Sequence, residues 1–233
     1  MRQSQSLQQQ AMQAIRSFIA TENMTVGQNL PSEGYFSQTL GVSRAVIREA
    51  FGALAALNIL DVGNGRKARV AAIDGGVISI ALEHALSTQQ LTVADVWDVR
   101  RVVELRIVGL AAEMRTEQEA KFLLNLAAEM RDSIAHPVRM AECDVLFHQC
   151  ISKACRNPLF TAMIQSVQPL MKVAVPVAWE TRTKQAERDL ILEQHQVIAE
   201  AIMARDPDAA VAAMEAHFDS TIGEILKDQH RII

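Results

Sequence analysis

From residue 77 to residue 228 the apolar side chains recur at helical spacing almost without interruption, and each interruption carries a recognisable stop signal. Asn157-Pro158 and Asp206-Pro207 are the clearest of these. Proline suits the first turn of a helix, so each pair ends one helix and opens the next. The pattern predicts helices over roughly 77–87, 92–114, 117–133, 138–155, 157–175, 180–204 and 207–228. Pro169 and Pro176 are expected to kink or end the fifth of them, because proline removes an intrahelical hydrogen bond. A chain of this kind has few options other than an all-α antiparallel bundle of about six or seven helices. Composition agrees: aromatic residues are only 4% while hydrophobic residues reach 49%, a mix that favours packed helices over a sheet sandwich.

The first seventy residues follow a different plan. Met12, Ile15, Phe18 and Ile19 mark one helix. In the stretch that follows, Ser32 is placed to cap a short helix, Gly41 to end it, and Ser43 to cap the next, which runs to about Leu57. On that helix Val46, Ile47, Ala50, Phe51, Leu54 and Leu57 form the expected buried face, while Arg44 and Arg48 point elsewhere together. Strands are expected at Ile59–Val62 and Ala68–Ala72, joined by a turn at Asn64-Gly65, with Arg66 and Lys67 just beyond it. Three helices and a basic hairpin make a winged helix-turn-helix. The expected division is a head over residues 1–74, a linker at Ala71–Gly76, and a body over residues 75–233.

Charge supports that division. The chain as a whole is acidic, net −4, and advertises no polyanion partner. Residues 1–74, however, hold seven Lys and Arg against five Asp and Glu, so a slightly basic head sits on an acidic body. Arginine forks can engage guanine edges in a major groove while wing lysines hold phosphates, and the N-terminus of the recognition helix offers free N–H groups. Three cysteines, Cys143, Cys150 and Cys155, with no CxxC spacing, argue for a reducing compartment, and Cys143 and Cys150, off the Asp144/His148 face, are expected to be packing residues. No run of 18 apolar residues and a polar beginning imply neither a membrane span nor a signal peptide, and hence a cytoplasmic protein.

In the body, Asp144 and His148 stand four apart, on one helical face. His195 lies 11 residues before Asp206 and His217 lies 11 after it. In an antiparallel hairpin both would stand about 16 Å from the turn, at 1.5 Å per residue. Val197, Ile198, Ala201 and Ile202 mark the inward face near His195, and Ala213, Met214, Phe218 and Ile222 near His217. Spacing alone leaves two readings open: separate packing histidines, or a site in which three imidazoles and a carboxylate hold a divalent transition metal. His84, His136 and His230 have no partner at ligand spacing.

These segments carry a resemblance. "LPSEGYFSQTLGVSRAVIREAFGAL" resembles the DNA-binding segment of GntR-family bacterial transcriptional regulators through Leu30-Pro31-Ser32-Glu33, Leu40-Gly41-Val42-Ser43-Arg44, Arg48-Glu49-Ala50 and Gly65. One position departs: Gly34 stands where the family usually has an arginine that contacts DNA. In the body, "DVWDVRRVVELRIVGLAAE", "DVLFH", "RNPLF", "LEQHQVIAEAI" and "MEAHF" are similar to the FCD-type ligand-binding domain of the same family. The resemblance implies DNA contacts from Ser43, Arg44, Arg48, Gly65, Arg66 and Lys67, and metal ligation by Asp144, His148, His195 and His217, with Zn²⁺, Ni²⁺ and Mn²⁺ as candidates. It places Arg100 in an effector pocket, forking the carboxylate of a small organic acid, where the residues alone offer an Arg100–Glu104 surface ion pair. Arg101 points some 100° away. The implied function is a homodimeric regulator, more often a repressor, that reads a palindromic operator. Two rivals stand beside it: a metalloenzyme fused to a DNA-binding head, and a sensor for which the metal is itself the signal.

Overall fold

The computed structural model describes residues 6–63 and 65–227, with side chains as far as Thr221. It divides into two compact units, one reaching Val77 and one beginning at Ile78.

The first unit opens with α1 (Leu7–Thr21), capped by Ser6 and Gln9 reciprocally, and burying Ala11 and Ile15. The Ser32 side chain accepts the Tyr35 N–H and starts α2 (Glu33–Leu40), which Gly41 ends at φ 66°. That left-handed turn suits a residue without a Cβ. Ser43 then accepts the Val46 N–H at 3.3 Å and starts α3 (Arg44–Ala56). Ile47, Ala50, Phe51 and Leu54 are buried on α3, and Val46 half so. Leu57 departs from the expected face: it is 48% exposed, because it is the C-cap, where helical periodicity no longer applies. Edge-on contacts among Phe18, Phe36 and Phe51 close this small core.

The hairpin consists of β1 (Leu60–Asp61) and β2 (Arg69–Val70), antiparallel, with Leu60 opposite Val70. Both are shorter than expected. Main-chain groups that would lengthen β2 are used by the segment before α2: Leu30 N–H bonds the Ala68 carbonyl at 2.8 Å and Val70 N–H bonds the Gln28 carbonyl at 3.0 Å. Gly65 has φ 72°, as the tip of the turn requires, and Asn64 lies outside the described residues. The start of the expected linker is fastened to the hairpin, since Ala71 N–H bonds the Ile59 carbonyl and the Asn58 side chain bonds the Ala72 carbonyl.

Helix α4 (Gly76–Ser87) leads into the second unit, whose described elements are all helices: α5 (Val93–Met114), α6 (Glu117–Asp132), α7 (Pro137–Ala154), α8 (Pro158–Thr181), α9 (Gln185–Ala204) and α10 (Pro207–Lys227). Reciprocal caps at Thr92/Asp95 and Thr116/Glu119 start α5 and α6, and Asn157 caps α8. The mainly helical winged-helix-plus-bundle architecture read from the sequence is therefore the fold observed. Two details differ. Helix α8 runs through Pro169 and Pro176 to Thr181 instead of stopping near residue 175. The prolines free the carbonyls of Gln165 and Lys172, but Ala174 between them and Val177, Ala178 and Trp179 beyond them are buried and hold the last turns onto the bundle. Consequently α9 starts at Gln185, not near residue 180. The inward face near His195 is Ile198, Ala201 and Ile202, whereas Val197 is 44% exposed. The Ile222 side chain and His230 lie outside the described residues. Among these residues no helix is long and apolar enough to cross a membrane.

Cys143, Cys150 and Cys155 are buried packing residues of α7 and its C-cap. Burial pushes all three thiols up, Cys150 to about 11. Since only thiolates react, a thiol reagent at pH 8 should leave the three cysteines of native protein unmodified over a time in which unfolded protein reacts at all three. Rapid modification of native Cys150 would contradict this packing.

Candidate functional site

The head offers a basic groove. Arg44 and Arg48 on α3 and Gly65, Arg66 and Lys67 on the hairpin line one open cleft of about 550 Å³, together with Glu33 and Gly34. Ser43 serves as the cap of α3, its hydroxyl committed to Val46 N–H. Arg48 reaches Glu33 at 3.4 Å, an exposed pair that is easily exchanged for a phosphate, and Arg66 is held in a two-pronged contact by Asp61. At Gly34 a Cβ would stand 3.6 Å from the Arg44 guanidinium, ordinary contact distance. A Cβ is therefore accommodated there, on the wall of the groove. Gly34→Arg is expected to strengthen binding to many DNA sequences and to steepen its salt dependence, since one more phosphate contact releases one more counterion. Gel-shift titrations at two salt concentrations check this, and an unchanged slope would place residue 34 away from DNA.

The body gathers a different set. Helix α7 supplies Asp144 and His148, α9 supplies His195 and α10 supplies His217. All four side chains are buried. The His195 and His217 rings lie 4.6 Å apart, with His148 at 5.4 Å from His217 and 6.0 Å from His195. One nitrogen from each of the three falls within 4.8 Å of the others. Asp144 joins this cluster through His195, whose Nε2 stands 3.1 Å from Oδ1.

Hydrogen bonding fixes where the lone pairs point. The Ile191 carbonyl, 2.8 Å from His195 Nδ1, can only accept, so Nδ1 carries a proton. In a neutral ring Nε2 is then bare and faces a carboxylate, and two acceptors at hydrogen-bond distance require a cation between them, either a proton or a metal. His148 Nδ1 contacts the Glu104 carboxylate, so in the neutral ring Nε2 is bare; that nitrogen is buried and without a hydrogen-bond partner. His217 Nδ1 is likewise buried and unpartnered. Burial, then the neighbouring His195 and His148, lower the His217 pKa well below the ordinary histidine value, so this ring is neutral. Burial alone would raise the Asp144 carboxyl, but the His195 hydrogen bond and the charges of His148, His195 and Arg100 outweigh it and hold it below the usual carboxylate range. An ionised carboxylate and imidazoles, which ligate once they are neutral, are donors that a divalent cation takes, so the donor set fits one.

Arg100 is not part of a surface pair. It is 4% exposed, its Nε is 2.5 Å from Glu104 Oε1, and its guanidinium lies over Trp97 and Phe218 at 5.0 and 5.5 Å. Arg101 turns outward to Glu215 and Asp219. Two groups escape a reading of the chain alone. Glu104 is buried between Arg100 and His148, although its four-residue offset from Arg100 looks like any exposed helix pair. Arg182 lies in the gap between α8 and α9 and lines, with Arg100, Asp144 and His217, a cavity of about 20 Å³. His84 and His136 are exposed, and neither belongs to the imidazole cluster.

A winged head with a basic groove, joined to a helical body with a buried imidazole cluster, defines a DNA-binding regulator. Residues 7–70 match the family described as bacterial regulatory proteins, gntR family, and residues 95–220 match the FCD domain. The chain belongs to the GntR family, in the branch that carries an FCD domain, and is a transcriptional regulator and not an enzyme. It is 29% identical over 211 residues to the Glc operon transcriptional activator of Escherichia coli K12, covering 88% of this chain and 83% of that one. It is 26% identical over 218 residues to the transcriptional repressor NanR of Cronobacter sakazakii, covering 92% and 83%. Among solved structures, Streptococcus agalactiae GntR superposes with a TM-score of 0.64 at 26% identity, covering 91% of this chain and 98% of that one.

Proposed function

We propose that this regulator holds one divalent transition metal, Zn²⁺, Ni²⁺ or Mn²⁺, on Asp144, His148, His195 and His217, and that a small organic acid bound beside it controls operator affinity. The observation that carries the reading is the convergence of three buried imidazoles, two of which, His148 and His217, keep a buried nitrogen without a hydrogen-bond partner, with Asp144 held against the third, His195. Unpaired buried polar atoms are costly, and a cation removes the cost at all of them together. Bound there, the metal would supply a positive charge that attracts the anionic oxygens of the acid. Arg100 and Arg182, on the wall of the adjoining cavity, would take up the rest of a carboxylate or hydroxy acid.

The cavity of about 20 Å³ holds little more than one water. An organic acid therefore binds only an arrangement in which the walls have moved apart, and a ligand with that preference shifts the population toward it. Helix α8, interrupted at Pro169 and Pro176 and contributing Val175, Ala178 and Trp179 to the wall, is the element expected to yield. The protein acts in the cytoplasm as a homodimer, each head reading one half of a palindromic operator, and the acid relieves repression. The relatives include an activator and a repressor, so a reporter assay with and without the acid fixes the sign. Thermal-shift screening of organic acids, with and without added metal, tests the whole reading: stabilisation by an acid only in the presence of metal supports it, and equal stabilisation without metal contradicts it.

A further inference from the structure

We propose that Glu104 is a positioning residue for the imidazole cluster, fixing the His148 tautomer so that its Nε2 lone pair faces His195 and His217. The inference rests on reading the cluster as a metal site. A carboxylate accepts hydrogen bonds and does not donate them, so its contact with His148 Nδ1 places the ring proton on Nδ1. In the neutral ring Nε2 is then the bare nitrogen, and it is the buried atom of His148 that lacks a partner in the protein. If the tautomer were reversed, Nε2 would carry a hydrogen and could not ligate anything.

The surroundings are built for this contact. Glu104 is 1% exposed and sits on α5, across from α7. A buried carboxylate needs partners for both oxygens. Oε1 takes the Arg100 Nε at 2.5 Å and Oε2 takes His148. Arg100 is in turn immobilised by Trp97, Phe218 and a hydrogen bond of 2.7 Å to the Met171 sulfur. A purely structural ion pair would be complete with Arg100 alone. The second oxygen does something else: it locks a ring that already stands in the cluster, as a carboxylate behind a metal-binding histidine does.

Two measurements test it. Nitrogen-15 NMR of metal-free wild type should show His148 protonated at Nδ1 and bare at Nε2. This reading requires no variant and survives even if substitutions unfold the protein. In Glu104→Gln the amide can turn its NH₂ toward Nδ1 and reverse the tautomer. Competition with a chelating dye should then show Co²⁺ bound about 10–100-fold more weakly, with an altered visible spectrum, and Glu104→Asp, which restores a carboxylate, should recover part of the affinity. An Nε2-protonated His148 in wild type, or wild-type Co²⁺ affinity and spectrum in Glu104→Gln, would overturn the role of Glu104 and leave the metal site standing. Wild type that binds no Co²⁺ would overturn both.

Discussion

Replacing Arg44 or Arg48 by alanine is expected to weaken operator binding by about 1–3 kcal/mol each, while leaving folding and oligomeric state unchanged. Both side chains are exposed on one face of α3, one turn apart, and open onto the groove that the hairpin closes on its other side. Neither contributes to the core of the head, which is built from Ile15, Leu30, Phe36, Ile47, Phe51 and Leu54. Losing an arginine that forks a base edge costs discrimination at one position, whereas losing one that holds a phosphate weakens all sequences alike and lowers the salt slope. Fluorescence anisotropy with a selected operator and with point variants of it separates the two. Wild-type affinity in both mutants would remove α3 from the DNA interface.

The second large effect falls in the body. His195→Ala and His217→Ala together delete two of the three converging imidazoles and leave Asp144 and His148 across an emptied space. Outer-shell partners of a metal are worth about 10–100-fold in affinity, so removing two direct ligands is expected to exceed that range. The response of operator binding to the organic acid should vanish with the metal. Binding to DNA without the acid should persist, because the Arg44 and Arg48 groove belongs to a separate compact unit. Anisotropy titrations of the double mutant with and without the acid check both halves, and a retained response would sever the acid from the cluster.

Local rules carried much of this architecture. Ser32, Gly41 and Ser43 delimit α2 and α3 because capping and left-handed turns are decided by a few neighbouring residues. His195 and His217 could be paired by counting from Asp206, since an antiparallel hairpin turns sequence distance into height, and their rings lie 4.6 Å apart. Features decided by distant packing were not legible. Arg100 and Glu104 show the spacing of a surface pair, and only the burial of that face of α5 reveals a guanidinium over Trp97 and Phe218 and a carboxylate behind His148. Pro176 looks like a helix end until Trp179, fully buried three residues on, holds the next turn in place. Arg182 falls in the first turn of the helix expected over 180–204, but the structure leaves it between α8 and α9, 4% exposed and lining the cavity beside Asp144. Gly34 shows the limit from the other side: the departure is visible in the chain, while the room for a Cβ beside Arg44 is visible only in the structure.

Elemental analysis of purified protein tests the central claim most directly. Wild type, prepared without chelator and dialysed, should carry one divalent transition metal per chain, and the His195→Ala, His217→Ala double mutant, folded by circular dichroism, should carry almost none. Equal metal content in the two proteins, or none in wild type after metal is supplied, would contradict the account and reduce Asp144, His148, His195 and His217 to a buried polar cluster.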